Sequence, residues 1–232
     1  MTPPKTIVWT KSADANDLTL WANHKDVLFS PLIALDDLKL PEWPGQNLDI
    51  VIASRYAAQK ISHRAHPWRK QLLQSTIHTF GPVTTKILTE AELQVIRKDN
   101  CLSLYALYRI LLANRDLRGL HFIGARKSSA NPLSIRDDFI FKHSAIYENR
   151  VLDQRQQWAE VSSQSKKLVC VASASAARNA LDHINDLKWT GVEFACIGQQ
   201  STAPIKNHPV LICEQPKIED LVQLAKEWYK KV

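Results

Sequence analysis

Short runs of aliphatic and β-branched residues alternate along this chain with longer stretches in which apolar positions recur every three or four residues. The runs at 6–10 (TIVWT), 49–54 (DIVIAS), 76–81 (TIHTFG), 120–125 (LHFIGA), 168–173 (LVCVAS), 193–198 (EFACIG) and 209–214 (PVLICE) read as strands. Each ends in small or polar residues, and amphipathic segments separate them. At the end of the chain Ile218, Leu221, Val222, Ala225, Trp228 and Tyr229 follow the 3.6-residue helical period, with Pro216 just ahead of them. Strands alternating with helices predict an α/β fold, with parallel sheets flanked by crossover helices.

Two pairs of these segments look like copies. IHTFGPVTTKIL (77–88) matches FACIGQQSTAPI (194–205), which aligns Gly81 with Gly198. VIASRYAAQKI (51–61) matches CVASASAARNAL (170–181), which aligns Ser54 with Ser173. The offsets, 117 and 119 residues, agree closely enough to imply duplicated βαβα units. IVWTKSADANDL, near the start, precedes the first duplicated block, whereas its counterpart HFIGARKSSANPL follows that block. The two units are therefore interleaved: residues 1–33 and 151–232 form one domain, and residues 37–144 form the other. The segments 28–36 and 142–152, which include LFSPLIAL and KHSAIYENRVL, fall where the chain crosses between them and are expected to pair as a two-stranded β connector.

Composition sets limits. Of the 232 residues, 45% are hydrophobic and 23% charged, the ordinary balance of a globular protein. No run approaches the roughly 18 uninterrupted apolar residues of a membrane span. The start, MTPPKTIVWTK, has no long apolar segment, so a cytoplasmic location and no membrane partner are expected. The four cysteines (Cys101, Cys170, Cys196, Cys213) show no C-x-x-C pairing, and the last three sit in strand-like runs, as core cysteines do. The net charge of +7 implies an anionic partner or simply a soluble surface, and charge alone does not decide between them. HRAHPWRK (63–70) mixes basic residues with Trp68, but no recognition-helix, zinc-finger or RNP pattern accompanies it, so it reads as a solvated surface rather than a nucleic-acid site. The H-x-x-H pair His63 and His66 has no carboxylate or thiolate partners nearby in sequence, and no metal site is expected.

In both copies a strand runs into the start of a helix, which places Ser54, Thr84, Ser173 and Ser201 near helix N-termini, where their hydroxyls are expected to cap. Such starts aim backbone N–H groups and a positive dipole end at the carboxyl edge of a parallel sheet, where open α/β folds bind ligands. Carboxylates or phosphates suit that edge. Only six glycines occur, with neither G-x-G-x-x-G nor a Walker loop, which disfavours dinucleotides and nucleoside triphosphates. No G-x-S-x-G elbow is present either.

Taken in order, Thr10-Lys11, SPLIAL (30–35), DIVIASRYAAQ (49–59), FGPVT (80–84), IYENRVL (146–152), VASASAA (171–177) and CIGQQSTA (196–203) resemble uroporphyrinogen-III synthase over nearly the whole chain. The resemblance implies an enzyme of tetrapyrrole biosynthesis that closes hydroxymethylbilane to uroporphyrinogen III, inverting the last pyrrole ring and releasing water without cofactor or metal. It implies that Tyr147 is the catalytic acid. Substrate contact is expected from Lys11, Ser54, Arg55, Gly81, Thr84, Arg126, Ser173, Gly198, Gln199, Ser201 and Thr202. The chain departs from the family pattern at Ala53 and Ala172, where threonine is usual, and at Ala174, where proline is. Arg126, in GARKSS, stands where the family has a glycine-rich basic turn. A monomer is expected, with at most transient contact with neighbouring pathway enzymes. The alternative from another class is a cytoplasmic two-domain sensor or anionic-ligand-binding module without catalysis.

Overall fold

The computed structural model describes residues 4–12, 15–44, 48–99, 101, 103–127, 139–161, 163, 165–215 and 217–231. The chain forms two compact units, residues 1–34 with 150–232 and residues 35–149. It enters the first with β1 (Lys5–Trp9), α1 (Ala15–Trp21) and β2 (Val27–Phe29), and leaves it along β3 (Ile33–Asp37). The second unit holds β4 (Asp49–Val51), α2 (Arg55–Ile61), α3 (Arg69–Leu73), β5 (Ile77–Thr79), α4 (Pro82–Glu90), β6 (Val95–Arg97), α5 (Leu104–Ala113), β7 (Gly119–Ala125) and most of β8 (Ile140–Val151). The chain then returns through α6 (Arg155–Ala159), β9 (Lys166–Val171), α7 (Ala174–Asp186), β10 (Val192–Cys196), two 3-10 turns (Gln199–Ser201 and Ala203–Ile205), β11 (Val210–Ile212) and α8 (Ile218–Lys231).

The first unit's sheet has the order β11-β10-β9-β1-β2 and is parallel throughout. A sheet covered on both faces demands apolar residues at successive positions, because neighbouring side chains point to opposite sides. Thus Val8, Val169, Val171, Phe194 and Cys196 pack with Ala176, Ala177, Ala180 and Ile184 on one face. Ile7, Trp9, Leu168, Cys170 and Ala195 pack with Leu221, Val222, Ala225 and Trp228 on the other. The helical period read near the end of the chain is that of α8; Pro216 lies outside the described residues.

The second unit's sheet has the order β3-β8-β7-β4-β5-β6. Strands β4 to β8 run parallel. Here too the faces alternate, with Ile50, Ile52 and Ile123 on the side of α2, and Val51, Leu120 and Phe122 on the side of α5. β3 closes the edge in the opposite direction: the Leu38 N–H donates to the Ile146 carbonyl over 3.1 Å, and the Leu152 N–H donates to the Leu32 carbonyl over 3.0 Å. Leu28 and Phe29 do not take part in this pairing. They lie in β2 and run parallel to Val8 and Trp9.

Candidate active site

In each sheet the crossovers leave two neighbouring strands in opposite directions. In the first unit β9 leads through α7 to β10 while β1 leads through α1 to β2, so the carboxyl ends of β1 and β9 flank a topological switch point. Lys11 follows β1 there, and Ser173 follows β9. In the second unit β4 leads towards β5 and β7 towards β8, and the switch point lies between Ser54-Arg55 and Arg126. Gly81 and Thr84 follow β5, and Gly198 to Thr202 follow β10. The expected substrate-contact residues of each unit therefore gather at the carboxyl edge of that unit's own sheet. Lys11 Nζ donates to the Ser12 carbonyl over 3.3 Å. The preceding Thr10 is buried and donates to the Cys170 carbonyl over 2.7 Å, pinning the end of β1 to β9.

Only two of the four expected hydroxyl caps form. Ser54 sits in extended backbone and accepts from the Ala57 N–H at 3.3 Å at the start of α2. Ser173 does the same for α7, accepting from the Ala176 N–H at 3.1 Å. At the other two starts the capping position is a glycine, which has no side chain to offer: Gly81 before α4 and Gly198 before the first 3-10 turn. Thr84 lies inside the first turn of α4 and is buried, while Thr85 donates to the Gly81 carbonyl over 2.9 Å. Ser201 is buried at the end of its turn, and Thr202 donates to the Gln199 carbonyl over 2.9 Å. The repeated glycine thus opens a nine-residue helix in one unit and two short 3-10 turns in the other. Pro82 supplies a preset φ at the first position of α4, whereas Gln199 and Gln200 have no such constraint.

Tyr147 lies on β8 just after a register shift. Gly124 pairs with Ala145 and Ala125 with Tyr147, which leaves Ile146 as an extra residue on β8. A bulge of this kind re-aims the side chains that follow it. The Arg126 N–H donates to the Tyr147 carbonyl over 2.8 Å, locking the end of β7 to the shifted strand. The Tyr147 side chain is 7% exposed, and its phenol donates to Ser54 Oγ over 2.9 Å. Burial raises its pKa. The Arg126 guanidinium is paired at 2.8 Å with Glu148, with both side chains partly exposed. Arg55 is exposed in the first turn of α2.

Beside Tyr147 stands a cluster that the sequence reading did not single out. The Tyr56 ring meets the Tyr147 ring edge-on, centroids 4.9 Å apart. The Tyr56 hydroxyl donates to Asp37 Oδ1 over 2.5 Å, and the Lys60 ammonium reaches the same oxygen at 2.5 Å. The bond to Asp37, then burial and that carboxylate's charge, push the Tyr56 phenol up to about 12, while Lys60 and Tyr56 hold Asp37 below its ordinary value. Tyr56 and Lys60 are four residues apart on α2, which puts them on one face. That spacing was the available signal, but the carboxylate comes from β3, 19 residues away from Tyr56.

Elsewhere the motifs resolve into structure. The His63 and His66 Nδ1 atoms accept from the Ala65 and Trp68 N–H groups and so shape the turn before α3. Among the described residues no group of three or more metal-ligating side chains occurs. All four cysteines are buried and unpaired, and burial pushes the Cys196 thiol up to about 12. No helix among the described residues is long and apolar enough to cross a membrane.

The profile of the uroporphyrinogen-III synthase HemD family matches residues 21–223. No curated protein matches the chain. Among solved structures, a uroporphyrinogen-III synthetase from Helicobacter pylori superposes with a TM-score of 0.63 at 17% identity, covering 97% of this chain and 99% of its own. A mutant uroporphyrinogen III synthase from Thermus thermophilus superposes with a TM-score of 0.63 at 13% identity, covering 98% of this chain and 100% of its own. At such identities these two likenesses establish the shared two-sheet fold.

Proposed function

The chain belongs to the uroporphyrinogen-III synthase family, and from that premise we propose that it is a cyclising hydro-lyase that converts hydroxymethylbilane to uroporphyrinogen III. The family match over residues 21–223 carries this reading. The non-catalytic binding module has no observation in its favour.

The chemistry asks little of side chains and much of positioning. Loss of the terminal hydroxyl gives an azafulvene, attack through the substituted carbon of the last ring gives a spiro intermediate, and fragmentation and reclosure invert that ring. Cyclisation without the enzyme gives the uninverted isomer, so the protein's task is to hold one conformation of a flexible substrate. That substrate carries acetate and propionate groups on every ring. We assign their binding to backbone and hydroxyl donors around Gly81 and Thr84 and to the backbone at the start of α2 after Ser54 in one unit, and to donors around Ser173, Gly198, Gln199, Ser201 and Thr202 in the other. Lys11, Arg55 and Arg126 supply positive charge. The proton for the departing hydroxyl is assigned to Tyr147. The protein is read as a cytoplasmic monomer that works without metal or cofactor and makes at most passing contact with the enzymes before and after it.

The test is to supply enzymatically generated hydroxymethylbilane, oxidise the products and resolve the porphyrin isomers. The type III isomer should dominate. Type I alone, formed at the rate seen without protein, overturns the reading.

A further inference from the structure

We propose that Ser54 is the group that meets the departing hydroxyl, and that Tyr147 acts through it as a positioning residue and proton source. This rests on the synthase reading above and concerns how the proton travels.

The argument begins with the hydrogen-bonding capacity of a hydroxyl, which is one proton and two lone pairs. Both lone pairs of Ser54 Oγ are occupied: one accepts from the Ala57 N–H at 3.3 Å and the other from the Tyr147 phenol at 2.9 Å. The Ser54 proton has no acceptor among the described residues, and the residue is half-buried at the carboxyl edge of its sheet. Its O–H is therefore directed away from both partners. The direction of the Tyr147 bond follows from burial. Tyr147 is 7% exposed among Ile52, Ala57, Ile123 and Ile146, and Ser54 is the one partner of its hydroxyl among the described residues. If Ser54 were the donor, the phenol proton would be left without an acceptor in an apolar setting, which is costly. Donation from Tyr147 to Ser54 satisfies both groups.

The duplicated serine provides the contrast. Ser173 makes the same cap to Ala176, but among the described residues no phenol bonds to it. One lone pair of Ser173 stays open, so its own proton is not forced outward. Of two serines at equivalent turns, one is loaded by a tyrosine and the other is not. The bulge at Ile146 is what brings Tyr147 into place.

The step balances as follows. The electron pair of the pyrrole nitrogen drives the carbon–oxygen bond of the hydroxymethyl group apart. The departing oxygen takes the Ser54 proton and leaves as water, while Ser54 takes the Tyr147 proton in the same motion, so that no free alkoxide forms. At reclosure the unsubstituted ring carbon that forms the final bond loses its proton, which returns through Ser54 and restores the phenol. Moving the proton in relay lets a buried tyrosine serve a substrate that it does not touch.

The experiment is a double-mutant cycle on the full chain with the isomer assay. Glycine caps a helix almost as well as serine does, so Ser54→Gly removes the hydroxyl with little loss of the cap, and Ser54→Thr retains it. Ser54→Gly and Tyr147→Phe should each lower kcat by about 10 to 100-fold with KM little changed. The double variant should be no slower than the slower single variant, and Ser54→Thr should recover most of the rate. Losses that multiply in the double variant overturn the relay, as does full activity in Ser54→Gly. A wild-type chain that makes no type III isomer would instead overturn the synthase reading itself, which keeps the two failures apart.

Discussion

His121 sits on β7 with no exposed surface, its Nε2 2.8 Å from Ser144 Oγ and its Nδ1 without a hydrogen-bond partner among the described residues. The neutral ring fits this setting if Nε2–H donates to Ser144. Protonation would place a second N–H in an apolar pocket beside the Trp43 and Trp68 rings. Burial, reinforced by the nearby His143, lowers its pKa to about 4. The unfolded chain titrates near the ordinary histidine value of about 6.5. Between those two values the unfolded state binds more protons than the folded one. The contribution is therefore fully present above about pH 6.5 and is lost as the pH falls towards 4. By linkage the loss is about 2 kcal/mol at pH 5 relative to pH 7.5. Denaturant titrations at the two pH values should show it, and His121→Gln should reduce the difference; an unchanged difference would assign the acid sensitivity to other groups. The same strand begins at Gly119, where an added Cβ would lie 2.5 Å from the Ile140 carbonyl oxygen and 2.8 Å from Leu48 Cδ2. A ladder carbonyl cannot move aside as a side-chain tip can, so Gly119→Ala should cost about 1–3 kcal/mol in the same titration.

At the scale of the element, the informative positions are the turns between a strand and the helix after it. Ser173→Ala should destabilise the first unit by about 1 kcal/mol through loss of the α7 cap, and Ser173→Gly by only a few tenths. Equal losses in thermal melts would show that packing, not the cap, holds this serine. Gly198 has φ −177°, an extended conformation open to any residue, so a β-branched replacement does not strain the backbone there. Any loss of activity in Gly198→Val should therefore appear as a raised KM with unchanged stability, from the bulk placed at the carboxyl edge. These turns also mark how far the sequence could be read. Strands β1, β4, β5, β7, β9 and β10 and helix α8 were legible because burial on both faces writes a continuous apolar run and a one-sided helix writes a 3.6-residue period; β11 is short and only partly buried, and its apolar run PVLICE alone marked it. β2 and β6 were not. They have three residues each, and their side chains are only partly buried or exposed, so pairing with a neighbour and not hydrophobicity defines them. The glycine repeat showed where each turn falls, but not that one copy would continue as a helix and the other as 3-10 turns. The serine pairs showed the caps, but not that Tyr147 would load one of them, since that contact spans 93 residues.

At the scale of the molecule, two interleaved α/β units follow from the duplication, because similar segments can build two similar sheets only if the first strand of one unit is supplied from before the other. In the two sheets β1 lies beside β9 and β7 beside β4. What duplication does not dictate is charge. A net charge of +7 spread over both units acts as a field on a substrate with a carboxylate-bearing pair of side chains on each ring. That attraction is long-ranged and screened by salt, with a Debye length of about 10 Å at 0.1 M and about 3 Å at 1 M. The donors proposed at helix starts and turns act at contact distance, where screening is weaker. KM for hydroxymethylbilane should therefore rise several-fold between 0.05 and 0.5 M salt, by about 1 kcal/mol of lost attraction, while kcat and the share of type III product stay constant. The isomer ratio is the decisive readout. If added salt shifts the product towards type I, the dispersed charge is helping to hold the inverted conformation, and the division between a steering surface and a local positioning site fails. If KM is flat across that range, the +7 field plays no part in capture and the local donors account for binding by themselves.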